Sequence, residues 1–161
     1  MVDAKGLKLA LSDFADKANA SSIAFVREVA LQAFTGVVMA SPVGNSTRWA
    51  RNIERAAKGK PPLPKGYVGG HFRKNWRLAV NSKPAGIVAG EDKSGQATID
   101  EAMRTLLGGP AAIADYQAVV ITNNLPYAVR LEDGYSKQAP TGMVAQTKAA
   151  IEARYGRGNR R

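Results

Sequence analysis

Residues 117–144 read Gln-Ala-Val-Val-Ile-Thr-Asn-Asn-Leu-Pro-Tyr-Ala-Val-Arg-Leu-Glu-Asp-Gly-Tyr-Ser-Lys-Gln-Ala-Pro-Thr-Gly-Met-Val. Ala118 to Ile121 is a short β-branched apolar run of strand length, and Asn123-Asn124 ends it with residues that tolerate tight turns. Pro126 suits the first turn of a helix, Tyr127 and Leu131 fall one turn apart, and Gly134 stands where that helix stops. Pro140 precedes a second helix, along which Met143, Val144, Thr147, Ile151 and Tyr155 recur at helical spacing. The order is strand, tight turn, one or two helical turns, loop, helix.

Working outward from that stretch, Leu7, Leu11, Phe14, Ala18, Phe25, Val29 and Ala33 recur at three- or four-residue steps, which predicts one long amphipathic helix to about Met39, with a nick at Asn19 to Ser22. Its broad apolar stripe serves either the core or a partner. Arg48 to Lys58 reads as a short helix with Arg48, Arg51 and Arg55 on one face and Trp49 and Ile53 on another. Pro61, Pro62 and Pro64 then force an extended strap, so the insert reads as an exposed, mobile excursion. Trp76, Leu78 and Val80 alternate as a half-buried strand, with Ile87 to Ala89 as its antiparallel return. Thr98 and Glu101 have capping-box spacing before a helix ending at Gly108-Gly109, and Ala111 to Tyr116 reads as a further turn. These elements predict one α+β domain over 1–161: a small antiparallel sheet packed by a long N-terminal helix and a C-terminal helix, with a basic Pro-rich insert at 45–67 and a flexible basic tail at 156–161.

The chain carries a formal net charge of +10. That favours a polyanionic neighbour and says nothing of the fold. Nine Lys and Arg side chains fall between Arg48 and Arg77 against Glu54 alone, and Arg154, Arg157, Arg160 and Arg161 crowd the C-terminus. The absence of cysteine excludes disulfides, thiol catalysis and zinc-thiolate sites. No apolar run is read as long enough to span a membrane and no signal-peptide core is evident, so the expectation is a soluble intracellular protein that needs no metal.

Catalytic chemistry finds little footing. His71 is the only histidine, and Glu91-Asp92, Asp100-Glu101 and Glu132-Asp133 are adjacent carboxylates that point to different faces, so no acid/base pair is legible. Each pair has a structural use at a turn or a helix end, with Glu132 expected to pair with an arginine. The expectation is no enzyme and no cofactor. Gly59-Lys60 lacks the glycine, hydroxyl and strand of a phosphate loop. Trp49 among Arg48, Arg51 and Arg55, and Phe72 and Trp76 among Arg73, Lys74 and Arg77, interleave aromatics with cations. Either these rings meet nucleic acid or Phe72 and Trp76 anchor the core. No motif for sequence-specific recognition is present.

Ser41-Pro42-Val43-Gly44, Gly69-Gly70-His71-Phe72-Arg73-Lys74-Asn75-Trp76 and Asn123-Asn124-Leu125-Pro126-Tyr127 through Val144 together resemble the neck or tail-completion proteins of long-tailed bacteriophages, the group that includes minor tail protein Z. The resemblance spans roughly Leu7 to Arg154 and departs from the family between Asn45 and Tyr67, where the family has only a short turn. It implies a structural virion protein, assembled in the host cytoplasm, that forms a ring, most plausibly sixfold, at the head–tail interface. Its partners would be further copies of itself, the head-closure and tail-terminator or tail-tube proteins and passing genomic DNA, with no membrane. A tail-terminator or adaptor ring of the same connector, or a nonspecific DNA-binding protein, is the alternative. Pro126, Tyr127, Leu131, Glu132, Gly134 and Pro140 would shape the subunit interface. Arg48, Arg51, Arg55, Lys58, Arg73, Lys74, Arg77, Arg157, Arg160 and Arg161 would face DNA or acidic partner rings.

Overall fold

The computed structural model describes residues 6–9, 22–108 and 118–156. Strand β1 (Gly6–Leu9), β2 (Trp76–Val80) and β3 (Val119–Asn123) form an antiparallel sheet in the order β1-β3-β2. The run Val119-Val120-Ile121-Thr122 suits the middle position, because β-branched side chains pack well on a pleated surface. Val119 and Ile121 are fully buried, and Ile121 pairs with Leu7 on one side and Leu78 on the other. The chain is therefore α+β, with helices laid on a small sheet.

Two expected elements differ. Leu7 belongs to a strand and not to the first helix, because Gly6 to Leu9 supplies hydrogen-bonding groups to the β3 edge that would otherwise stay unpaired. Leu11, Phe14 and Ala18 lie outside the described residues. Ile87 to Ala89 forms no strand; the Asn75 side-chain amide takes both backbone groups of Val88, at 2.8 and 3.0 Å, and so replaces a ladder.

Helix α1 (Ser22–Ala40) turns Val26, Val29, Ala30, Ala33, Phe34, Val37 and Val38 into the core. It packs on α4 (Gln96–Leu107), on α6 (Met143–Tyr155) and on β2. Gly36 lets α6 come close: a Cβ there would lie 2.7 Å from Thr147 Cγ2. By length and composition Ile23–Ala40 is apolar enough to cross a bilayer, which corrects the expectation that no such run exists. Its charged residues in that window are Arg27 and Glu28 alone, and its apolar face is spent on the domain core.

The expected capping box at Thr98 is not formed, since α4 starts earlier, at Gln96. Asp92 does the capping: one carboxylate oxygen accepts from Gly95 N at 2.8 Å, and the other accepts from Thr98 N and Thr98 Oγ1. Burial pushes the Asp92 carboxyl up, but these bonds and one from Ser94 outweigh it and hold the group below its usual range. The turn expected at Ala111 to Tyr116 lies outside the described residues.

Within the insert, a 3-10 turn (Ser46–Arg48) leads through an extended Trp49 into α2 (Ala50–Ala57). That break takes Arg48 off the row of Arg51 and Arg55, so the three do not share one helical face. The strap that follows is exposed but fastened. Asn52, only 2% exposed, donates to Ser46 O and Leu63 O and accepts from Leu63 N, and Arg55 Nε donates to Pro61 O.

Candidate functional site

After β3 the chain makes a short helix α5 (Ala128–Arg130), runs through a wide turn (Leu131–Tyr135), and re-enters as α6. Glu132 fixes this corner. Its carboxylate accepts from the backbone N–H groups of Met143, Val144 and Ala145, each at 2.9 Å, and so satisfies the first turn of α6. It pairs with this helix end and not with an arginine, because three unsatisfied amides converge where a cation would have to stand. Gly134 has φ 82°, and a Cβ there would run into the Pro140 carbonyl oxygen; a Cβ on Gly142 would run into Glu132 itself. The corner therefore accepts glycine at both points and little else.

The corner is tied to the rest of the chain by side-chain amides. Gln138 accepts from Val43 N and donates to Val43 O, at 3.2 and 3.1 Å. Asn123 donates to Phe72 O and caps Leu125 N, while Asn124 donates to Pro84 O and Gly86 O. Gly44 and Gly69 lie so close that a Cβ on Gly69 would overlap the Gly44 carbonyl oxygen. Thus Ser41-Pro42-Val43-Gly44, Gly69 to Trp76 and Asn123 to Val144, far apart in sequence, meet in one place.

Between them opens a groove of about 550 Å³. Trp49 and Tyr67 form one wall, with ring centroids 4.9 Å apart, and Tyr127 and Tyr135 form another. Arg48, Lys137 and His71 also line it, and among the described residues no Asp or Glu does. Tyr127 leans on Phe72, which in turn meets Trp76 edge-on, so the groove floor rests on the core. Burial raises the Tyr127 hydroxyl above its ordinary range with help from Tyr67, and burial followed by Glu91 raises that of Tyr67, so both remain protonated donors.

The expected positions divide clearly. Tyr127 and Leu131 line the groove, Glu132 and Gly134 hold the corner, Pro140 supplies the carbonyl that makes Gly134 necessary, and Pro126 sits exposed at the start of the turn. Among the cations, Arg73 is consumed inside the fold: it donates to the carbonyls of Met39, Ser41, Lys93 and Ser94, closing the C-terminus of α1. Burial lowers its guanidinium from the usual value, against the opposing pull of Asp92. Lys74 pairs with Glu101 at 3.5 Å, and Arg77 donates to Ala85 O. Arg51 and Lys58 stand exposed on the insert, and Arg157, Arg160 and Arg161 lie outside the described residues. His71 is occupied by Gly90 O at 2.8 Å and by Asn75, not by a carboxylate. Phe72, in the short helix α3 (His71–Lys74), and Trp76 are core anchors, each exposed over less than a tenth of its surface.

The sequence singles out neither Gln138 nor Asn52 nor Asn75, and it gives Asp92 a use at a turn without its helix-capping role. Gln138, Asn52 and Asn75 meet backbone up to 95 residues away, which no local spacing betrays, whereas Asp92 caps groups three and six residues on, a signal hidden by the more regular Thr98–Glu101 spacing. No protein-family model, no curated protein and no solved structure matches this chain.

Proposed function

We propose that this chain is a structural, non-catalytic component of a phage neck, assembling copies of itself as a ring around the DNA path where tail meets head. The observation that carries the reading is the convergence of the three segments that resemble that family: Gln138 grips Val43, Gly69 abuts Gly44, and Glu132 caps α6. A corner locked by positive-φ glycines and backbone-directed amides suits a surface that must repeat identically from copy to copy. Tyr127, exposed beside that corner, supplies aromatic area of the kind enriched at interfaces. A catalytic role has less support: among the described residues no group of three His, Cys, Asp or Glu side chains could hold a metal, and His71 faces backbone and amide partners.

The test is to deplete the chain from a particle-forming infection and restore it with wild-type or Gln138→Ala, Gly142→Ala protein. Full heads and complete tails that remain unjoined without it, with density for the chain at the junction when it is restored, are expected. Normal joining in its absence, or particles with no such density at the neck, would end the reading. Position in that density also separates this role from a tail-terminator or adaptor ring.

A further inference from the structure

The geometry points to the groove between corner and insert as a binding site for single-stranded nucleic acid, with phosphates held by Arg48 and Lys137 and unpaired bases stacked on Trp49, Tyr67 and Tyr135. This goes beyond the ring role, since a neck ring surrounds duplex DNA, whose bases are not open to stacking.

The walls argue for bases. They are aromatic and not aliphatic: Pro42 and Leu131 are the main saturated apolar groups, against Trp49, Tyr67, Tyr127 and Tyr135. Flat rings accept any base through its π-face, and adjacent cations take the backbone, which is how sequence-tolerant single-strand sites are built. Trp49 is 41% exposed and Tyr135 66%. The Arg130 guanidinium already lies 3.6 Å over the Tyr135 ring, giving a stacked pair that carries charge. Among the described residues no carboxylate lines the groove; the charge of Glu91 reaches Tyr67, but Arg48 and Lys137 outnumber it, and the exposed Arg51 and Lys58 extend the positive surface along α2. The site is also preorganised, because Asn52 holds the insert and Gln138 holds the opposite side. An acidic protein segment would satisfy the cations, but it would meet few aliphatic sockets for its side chains.

The full chain is titrated with an oligothymidylate of about 15 nucleotides, with a duplex of equal length, and with a poly-glutamate peptide. Tryptophan fluorescence is the first readout. Trp76 is 4% exposed and donates to Ser41 Oγ, so quenching reports Trp49. Quenching by the oligothymidylate, with affinity at least about tenfold above the duplex, is expected. Read by anisotropy of an end-labelled oligothymidylate, since the substitution removes the fluorescent reporter, Trp49→Ala should weaken binding about 5- to 150-fold, and Tyr135→Ala, at a more exposed ring, should weaken it in the same direction. Arg48→Gln with Lys137→Gln should lower the slope of log affinity against log salt by about 1.4. Equal or tighter duplex binding, or no quenching, overturns the proposal, and poly-glutamate competing as well as oligothymidylate reassigns the groove to an acidic protein. Single-strand binding by a chain absent from the neck would refute the ring role alone. Junction density without single-strand binding would refute only this one.

Discussion

Gln138 and Val43 lie 95 residues apart in sequence and are joined by two hydrogen bonds, the side-chain amide of one matching both backbone groups of the other. Geometrically this is a single rung of a β-ladder made by a side chain. It fastens the segment after α1 to the corner before α6, so the position of one dictates the position of the other. Gln138→Ala removes both bonds at an exposed site. The expected cost is about 1–2 kcal/mol, read as a lower urea midpoint with unchanged m-value and a fall in Tm of about 2–6 °C. A variant as stable as wild type would mean that the two segments are aligned by packing alone.

Glu132 makes a second testable contact. Three charge-assisted bonds to the start of α6 are worth more than a neutral cap, so Glu132→Gln should destabilise the fold by about 1–3 kcal/mol. The glycines beside it offer an internal comparison. Gly134→Ala places a methyl group against the Pro140 carbonyl as well as forcing a left-handed backbone, whereas Gly59→Ala, at φ 65°, meets nothing within 4 Å. Gly59→Ala should cost about 1 kcal/mol and Gly134→Ala at least about 2 kcal/mol more, measured by chemical denaturation. Equal costs would show that the turn at Pro140 gives way freely.

Elements whose burial follows a simple period were legible in the sequence. Trp76 and Leu78 in β2, Val119 and Ile121 in β3, and Met143, Val144 and Thr147 in α6 all face inward as their spacing predicts. Leu7 was misread because Gly6 to Leu9 satisfies a helical period and an alternating one equally, and only the open edge of β3 decides between them. The corner was legible as a corner from its Pro and Gly residues. Its chemistry was not, since the partner of Glu132 is a set of backbone amides eleven to thirteen residues away, and a carboxylate looks the same whether it meets an arginine or a helix end. Charge misled in the same manner. Arg73 stands in a basic run, yet its donors face four carbonyls around the end of α1, and no spacing rule encodes that.

Acid titration should expose Asp92. Its folded carboxyl lies below the ordinary value of 3.8, so the unfolded chain binds the proton first as pH falls. The stabilisation is therefore complete above the unfolded value and is lost as pH drops from about there through the folded one. Asp92→Asn should be less stable than wild type at pH 7, because the cap of α4 loses its charge. It should also show a flatter decline of urea midpoint below about pH 4. Parallel acid limbs for the two proteins would assign that decline to other carboxylates.

Asn52 decides whether the insert is a fixed surface or a loose one. Its amide makes three bonds across the strap, all to backbone, and it is the buried polar centre around which α2 and Pro61 to Pro64 close. Asn52→Ala removes them together, leaving Leu63 N and both carbonyls to find water. Opening of the strap should become about 1–3 kcal/mol easier, which raises the cleavable population about 5- to 150-fold. Trypsin, acting after Lys58 and Lys65, should then nick Asn52→Ala protein correspondingly faster while the urea midpoint of the domain moves much less, because the three bonds lost and the Trp49–Tyr67 pair all lie within the insert, which adds no residue to the buried core cluster. Faster cleavage accompanied by an equal loss of global stability would instead make the insert part of the cooperative fold, and an unchanged cleavage rate would show that the strap is held by its prolines without Asn52.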